Sequence, residues 1–328
     1  MRWGLLPLTP LYAAAVAAKN AAYDRGWRAS QRLKWPVISV GNVSVGGSGK
    51  TPFVIALAKL LKQQGIHVHV LSRGYGRSSN AVERVDPLGN AERYGDEPLL
   101  IAQSADIPVY VSVSRYEAGK LAESEHSGAG IHLLDDGFQH RRLGRTVDIG
   151  LVHRSDFEEV LLPAGGLREP VSSLKRASVL VLREEDGDLV QKLKERGIQK
   201  PIWRIKRSIE VSAGQEKAIA FCGIARPEEF FEMLRRHGVN VILARSFCDH
   251  HRYSDEDVRQ LVQLGREYAP GMFLTTEKDL VRLLPAQKKS LDSAAPLRVV
   301  KLTVEFCNEA AVLRDLRALL PSGFDQML

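Results

Sequence analysis

Ser44 to Pro52, SVGGSGKTP, carry the densest chemistry in the 328-residue chain. Phosphates are held by backbone N–H groups converging at the start of a helix, and glycine lets the backbone approach them closely. Ser44, Val45, Gly46, Gly47, Ser48 and Gly49 supply such a loop, Lys50 reaches the β- and γ-phosphates of a nucleotide, and the Thr51 hydroxyl suits Mg2+. Position 44 departs from the usual glycine of this pattern.

The run IHLLDDGFQH, Ile131 to His140, delivers two aspartates at the end of an apolar stretch. Alone it would read as a turn or a helix cap. Downstream of GSGKT, Asp135 and Asp136 become candidates for the carboxylate that holds Mg2+ opposite the threonine. Adjacent strand residues point to opposite faces, so one of the two is expected to reach the metal.

Two further clusters follow: LSRGYGR, with Arg73 and Arg77 suited to an anionic group, and YGDEP, with Asp96 just before a predicted helix. Asp96 could be a simple helix cap. It becomes a candidate base if a substrate hydroxyl must lose its proton near the γ-phosphate. FCDHHRYS adds Cys248, Asp249, His250 and His251; no second ligand pair lies at zinc spacing, whereas a histidine beside a carboxylate suits acid–base work near neutral pH. TTEKDLVRL resembles the guanine-reading string, but the spacing from Lys278 to Asp279 fails, which disfavours a GTPase.

These residues need a scaffold that brings strand ends together. PVISVGN, IHVHVLSR, IPVYVS, IHLLDD, VDIGLV and SVLVLR read as strands alternating with helices, the pattern of an α/β protein with a mostly parallel sheet. TPFVIALAKLLKQQG places Phe53, Leu57, Leu60 and Leu61 at helical spacing, which predicts a core-facing helix directly after the phosphate loop. A second series follows: AIAFCGI, a helix from Pro227, VNVILARSF, a helix from Ser254, MFLTTE, RVVKLTVEF and a final helix. AVERVDPLGNAERYG reads as a long surface loop. The expected organisation is an N-terminal apolar and basic helix over 1–35, a P-loop core over 36–213 with its boundary near Ala213, and a smaller α/β domain over 214–328.

Composition supports a globular protein: 44% of residues are hydrophobic and 26% charged, which excludes disorder and coiled coil. Three scattered cysteines do not make a disulfide framework, so a reducing compartment is expected. The net charge of +7 is concentrated in residues 1–50, where seven basic residues face one acid, and no nucleic-acid partner is expected. The apolar stretch from Trp3 to Ala18 is short for a membrane span, and most of its positive charge follows it, unlike a signal peptide. It suits a helix lying in the headgroup region, with Trp3, Tyr12 and Trp27 as interfacial rings; docking on the protein's own core is the alternative.

Taken together, GNVSVGGSGKTP, LSRGYGR, GDEP, LLDDGFQH, LPAGGLREP, FCDHHRYS and TEKDLVRL resemble the tetraacyldisaccharide 4′-kinase family, in order and as far as about residue 284. That family carries Ser or Thr at the position of Ser44. The resemblance implies a kinase on the cytoplasmic face of the inner membrane, peripheral, with ATP as co-substrate and Mg2+ as cofactor. Its acceptor would be the 4′-hydroxyl of an acylated disaccharide 1-phosphate, giving lipid IVA. It implies an acid–base pair at Asp96 and His250, and substrate or phosphate contacts from Arg73, Arg77, Gln139, His140, Arg168 and Glu169. A P-loop switch or metal-delivery NTPase is the alternative from another class.

Overall fold

The computed structural model describes residues 2–212 and 216–322, apart from the Trp3 side chain; the expected boundary at Ala213 and the Trp3 ring lie outside the described residues. The strands are β1 (Val37–Asn42), β2 (Val68–Ser72), β3 (Glu83–Arg84), β4 (Val109–Val111), β5 (Ile131–Leu134), β6 (Val147–Leu151), β7 (Val179–Arg183), β8 (Ile202–Glu210), β9 (Lys217–Cys222), β10 (Asn240–Ser246), β11 (Met272–Thr276) and β12 (Leu297–Phe306). They form one mixed, mostly parallel sheet in the order β10-β9-β11-β12-β8-β7-β6-β1-β5-β2-β4-β3.

Central β1 and β5 are buried at every position, so they read as mostly apolar runs, with Ser39 and His132 buried among them. β1 pairs in parallel with β5 on one side and β6 on the other. Their C-terminal ends therefore lie side by side, which brings the loop after Asn42 beside Asp135 and Asp136. Open α/β sheets form ligand crevices along this edge.

The helix Lys50–Gln63 covers the sheet with Phe53, Leu57, Leu60 and Leu61 buried, as its spacing predicts. The expected surface loop after Arg77 contains the short strand β3 and the helix Ala91–Tyr94.

β8 and β12 join the two halves of the sheet. β8 pairs in parallel with β7, while the second half of β12 runs antiparallel to β8 and its first half pairs with β11. The sequence reading had no strand over Ile202–Glu210, because Arg207 interrupts the alternating apolar positions Trp203, Ile205 and Ile209. The last helix, Glu309–Leu319, inserts Val312 and Leu316 into the same core as Phe53 and Leu57. The chain thus leaves the first half after β8 and returns to it after β12.

The N-terminus forms a 3-10 turn, Trp3–Leu8, and a helix, Thr9–Asp24, and the helix has no buried residue among those described. Polar contacts tether it: the Tyr12 hydroxyl donates to the Arg168 carbonyl at 3.0 Å, and Asn20 donates to Glu169 at 3.0 Å. No helix among the described residues is long and apolar enough to cross a membrane.

Candidate active site

The phosphate loop is pinned from both sides. Val45 N–H donates to the Gly166 carbonyl, and the N–H groups of Arg168 and Glu169 donate to the Val43 carbonyl, so the LPAGGLREP segment lies along it. Gly46 and Gly49 adopt left-handed backbone (φ 87° and 81°), which glycine does at little cost. A Cβ on Gly46 would meet the Ala225 side chain at 3.2 Å, so the C-terminal half closes directly over the loop. Ser44 is buried and its hydroxyl accepts from Asn42 at 3.0 Å.

Lys50 sits among Asn42 Oδ1 (3.2 Å), Ser48 Oγ (3.5 Å) and Asp136 Oδ1 (3.4 Å). Asp136 also accepts from Arg168 at 2.8 and 3.0 Å. Burial would raise its carboxyl, but Lys50 and Arg168 outweigh that and keep it below the usual range. Asp135 is the opposite case. It is buried, its Oδ1 has no hydrogen-bond partner, and burial followed by the charges of Glu97 and Asp136 pushes its carboxyl up to about 7. A buried carboxylate with a partnerless Oδ1, close enough to feel the Lys50 ammonium, fits a divalent cation, whose charge would reverse that shift. Asp136, already paired with two cations, is the less suited of the two.

Asp96 begins the helix Asp96–Ala105, with Gly95 before it at φ 90°. Its Oδ1 accepts from the Glu97 N–H at 2.9 Å, and its Oδ2 lies 2.9 Å from His250 Nδ1. Arg282 donates to the same Oδ2 through Nε at 2.8 Å and through Nη2. Burial would raise the Asp96 carboxyl, but the His250 hydrogen bond and the Arg282 charge hold it well below the ordinary carboxylate range. His250 shifts upward, chiefly through its hydrogen bond to Asp96 against an opposing effect of burial. Beside the pair, Lys278 bonds Glu97 at 2.5 Å, a second ion pair between the two halves of the sheet.

Two site residues outside the glycines have left-handed backbone, Asp136 (φ 49°) and His250 (φ 57°). That conformation costs a non-glycine residue about 1–2 kcal/mol, so the surrounding structure must hold both in place.

The remaining expected residues divide. Arg168 and Gln139 lie at the loop: Gln139 donates to the Asn42 carbonyl at 2.8 Å and faces Arg168 at 3.4 Å. His140 is kept neutral, its value lowered to about 4 by burial and then by Arg115 and other cations. Arg73 is exposed. Glu169 is consumed as a strut, taking both Arg176 nitrogens at 2.6 and 2.9 Å together with Asn20. Arg77 packs under Gly74 and faces Glu83 at 3.8 Å, with its guanidinium buried in its own loop.

Sequence reasoning missed Asn42, Glu97, Lys278 and Arg282 as site residues. Glu97 sits beside the candidate base, and Lys278 and Arg282 are four apart, one helical turn, which was the available signal.

The family model described as Tetraacyldisaccharide-1-P 4′-kinase matches residues 1–321. A tetraacyldisaccharide 4′-kinase of Koribacter versatilis is 42% identical over 94% of this chain and 97% of its own length. One from Aquifex aeolicus is 38% identical over 86% of this chain and 90% of its own. A crystal structure of the Aquifex aeolicus LpxK in complex with ATP superposes with a TM-score of 0.77 at 33% identity, covering 98% of this chain and 99% of that one. With the phosphate loop, the aspartate pair and the Asp96–His250 contact assembled at one sheet edge, this chain belongs to the tetraacyldisaccharide 4′-kinase family.

Proposed function

We propose that the protein transfers the γ-phosphoryl group of ATP to the 4′-hydroxyl of a tetraacyldisaccharide 1-phosphate, giving lipid IVA. The observation that carries this is the meeting of Asp96 and His250 from opposite halves of the sheet beside a phosphate loop. A nucleotide switch needs no such pair, whereas a kinase must take a proton from its acceptor.

The loop N–H groups and Lys50 bind the triphosphate, and Arg168, 26% exposed at the loop, neutralises charge on the transferring group. Thr51 and Asp135 would hold Mg2+, which neutralises charge on the phosphate oxygens when bound. The hydroxyl proton passes to the Asp96–His250 pair. Oδ1 of Asp96 carries a single donor and can accept another, while His250 and Arg282 fix the carboxylate through Oδ2. A weak base suffices where the transition state is loose and positioning carries the rate.

Residues 36–213 would form the P-loop core and 214–328 a smaller α/β unit that closes the cleft, with its last helix swapped back onto the core. Closure on the substrates would set the pair against the acceptor hydroxyl. Residues 1–35 would rest on the cytoplasmic face of the inner membrane. Leu8, Leu11 and Trp27 are exposed, and exposed Arg25, Arg28, Arg32 and Lys34 follow the helix, a combination suited to anionic headgroups.

ADP release tests this. It should depend on added lipid acceptor and Mg2+. Release that ignores the lipid and responds instead to a protein partner or a bound transition metal would favour the P-loop switch or metal-delivery NTPase.

A further inference from the structure

We propose that Arg282 is the positioning residue through which the C-terminal half of the protein sets the Asp96–His250 pair. It aims the Asp96 carboxylate and opposes positive charge on the imidazole. The proposal rests on that pair being the proton acceptor.

Arg282 is fixed by its own half before it reaches across. Its Nη1 donates to the Gly223 carbonyl at 2.6 Å and to Asp279 Oδ1 at 3.1 Å. Asp279 is fully buried and is itself held by the Gly223 N–H and the Tyr253 hydroxyl, each at 2.9 Å, and by Thr276 at 2.6 Å. The other edge of the guanidinium, Nε and Nη2, grips Asp96 Oδ2. Both side chains are almost fully buried, 5% and 7% exposed, so solvent screens the contact little.

The same Oδ2 is the atom His250 approaches, and Arg282 Nη2 lies 3.4 Å from His250 Nδ1. One carboxylate oxygen is thus shared by a permanent cation and a titratable one. The permanent cation neutralises the carboxylate that would otherwise hold a proton on the imidazole, and it repels that proton directly. Three donors on Oδ2 also fix the rotamer that leaves Oδ1 open. A planar, forked head does both, while a lysine supplies charge without the fork.

The other charged and titratable groups around the pair are Glu97 with Lys278, Asp249 on the histidine's own loop, Tyr75 with its ring 5.2 Å from that of His250, and Asp279 and Tyr253 behind Arg282. Of these, Arg282 alone touches both members of the pair among the described residues.

The test uses the full-length protein with Arg282→Gln and Arg282→Lys. His250 is titrated by NMR without substrate, its signal assigned by loss in His250→Asn, and phosphate transfer to the lipid is followed against pH. In Arg282→Gln the His250 titration and the matching limb of the rate profile move to higher pH by about one unit. At neutral pH kcat falls about 100-fold, while KM for ATP changes less than about threefold. Arg282→Lys gives a smaller shift in the same direction, and it decides the matter if Arg282→Gln does not fold. A lower kcat with the His250 titration unmoved in both variants overturns the proposal and leaves Arg282 a structural tie. A wild-type protein that phosphorylates no lipid defeats the kinase function instead, and the NMR titration still decides the role of Arg282.

Discussion

Nδ1 of His250 lies 2.9 Å from Oδ2 of Asp96, although 154 positions separate them in the chain. The first comes from a loop of the C-terminal half and the second from the first turn of a helix in the phosphate-loop half, so the contact exists only while the halves are closed on each other.

This contact gives the closed form a defined pH window. His250 is raised by Asp96, so its contribution is fully present below the ordinary histidine value of about 6.5 and is lost as pH climbs through the raised one. Asp96 is depressed, so its share is present above the ordinary carboxylate range and is lost only in strong acid. Melting temperatures of the wild type and His250→Asn should differ most between about pH 5 and 6.5 and converge above it. The difference should be worth about 1 kcal/mol or less, because His250 is partly exposed. A gap that grows with alkalinity would contradict the assignment.

Asp135 behaves in the opposite sense. With its carboxyl pushed up to about 7, ionising it costs the metal-free fold stability as pH rises from the unfolded value of about 3.9. Asp135→Asn should therefore raise the metal-free melting temperature at pH 8, by about 1–2 °C for each kcal/mol regained. It should also abolish Mg2+-dependent transfer. Metal-free thermal scans check the first and transfer assays with Mg2+ the second, and a variant that melts lower at pH 8 would show that Asp135 is not held at a cost.

Gly46 is required by backbone and neighbour together. Gly46→Ala places a methyl 3.2 Å from Ala225 at φ 87°, with a strain of about 1–2 kcal/mol. ATP affinity by calorimetry should fall about tenfold, while the same change at exposed Gly4, with nothing within 4 Å, should leave it unaltered.

The N-terminal segment leaves Leu8 51%, Leu11 71% and Trp27 73% exposed, too much apolar surface in one stretch to be idle. Replacing all three by serine should cut co-sedimentation with anionic vesicles at least about tenfold. Transfer to a short-chain, detergent-dispersed acceptor should remain. Unchanged sedimentation would assign the helix to the protein alone.

Local chemistry was legible in the sequence, and chemistry assembled over distance was legible only in part. The phosphate loop could be read because its function is written in backbone freedom and adjacent side chains, and β1 and β5 because burial on both faces demands mostly apolar runs. β8 escaped because Arg207, which pairs with Glu229, takes the apolar face between Ile205 and Ile209 and breaks the alternation. TEKDLVRL was read as a failed guanine string. Its Lys278 and Arg282 instead bond Glu97 and Asp96, partners more than 180 residues away that no local pattern reveals. Glu169 and Arg77 show the converse: charged residues in functional-looking strings, spent on Arg176 and on a buried loop.

The most direct measurement of the central claim is transfer of label from γ-labelled ATP with Mg2+ to a detergent-solubilised tetraacyldisaccharide 1-phosphate, run beside Lys50→Ala and Asp96→Ala. The wild type should yield labelled bisphosphorylated lipid. Lys50→Ala should lose transfer together with ATP affinity, and Asp96→Ala should lose about 100-fold or more in rate while still binding ATP. Labelled lipid formed at near-normal rate by Asp96→Ala would remove the pair from the chemistry, and no labelled lipid from the wild type would contradict the kinase itself.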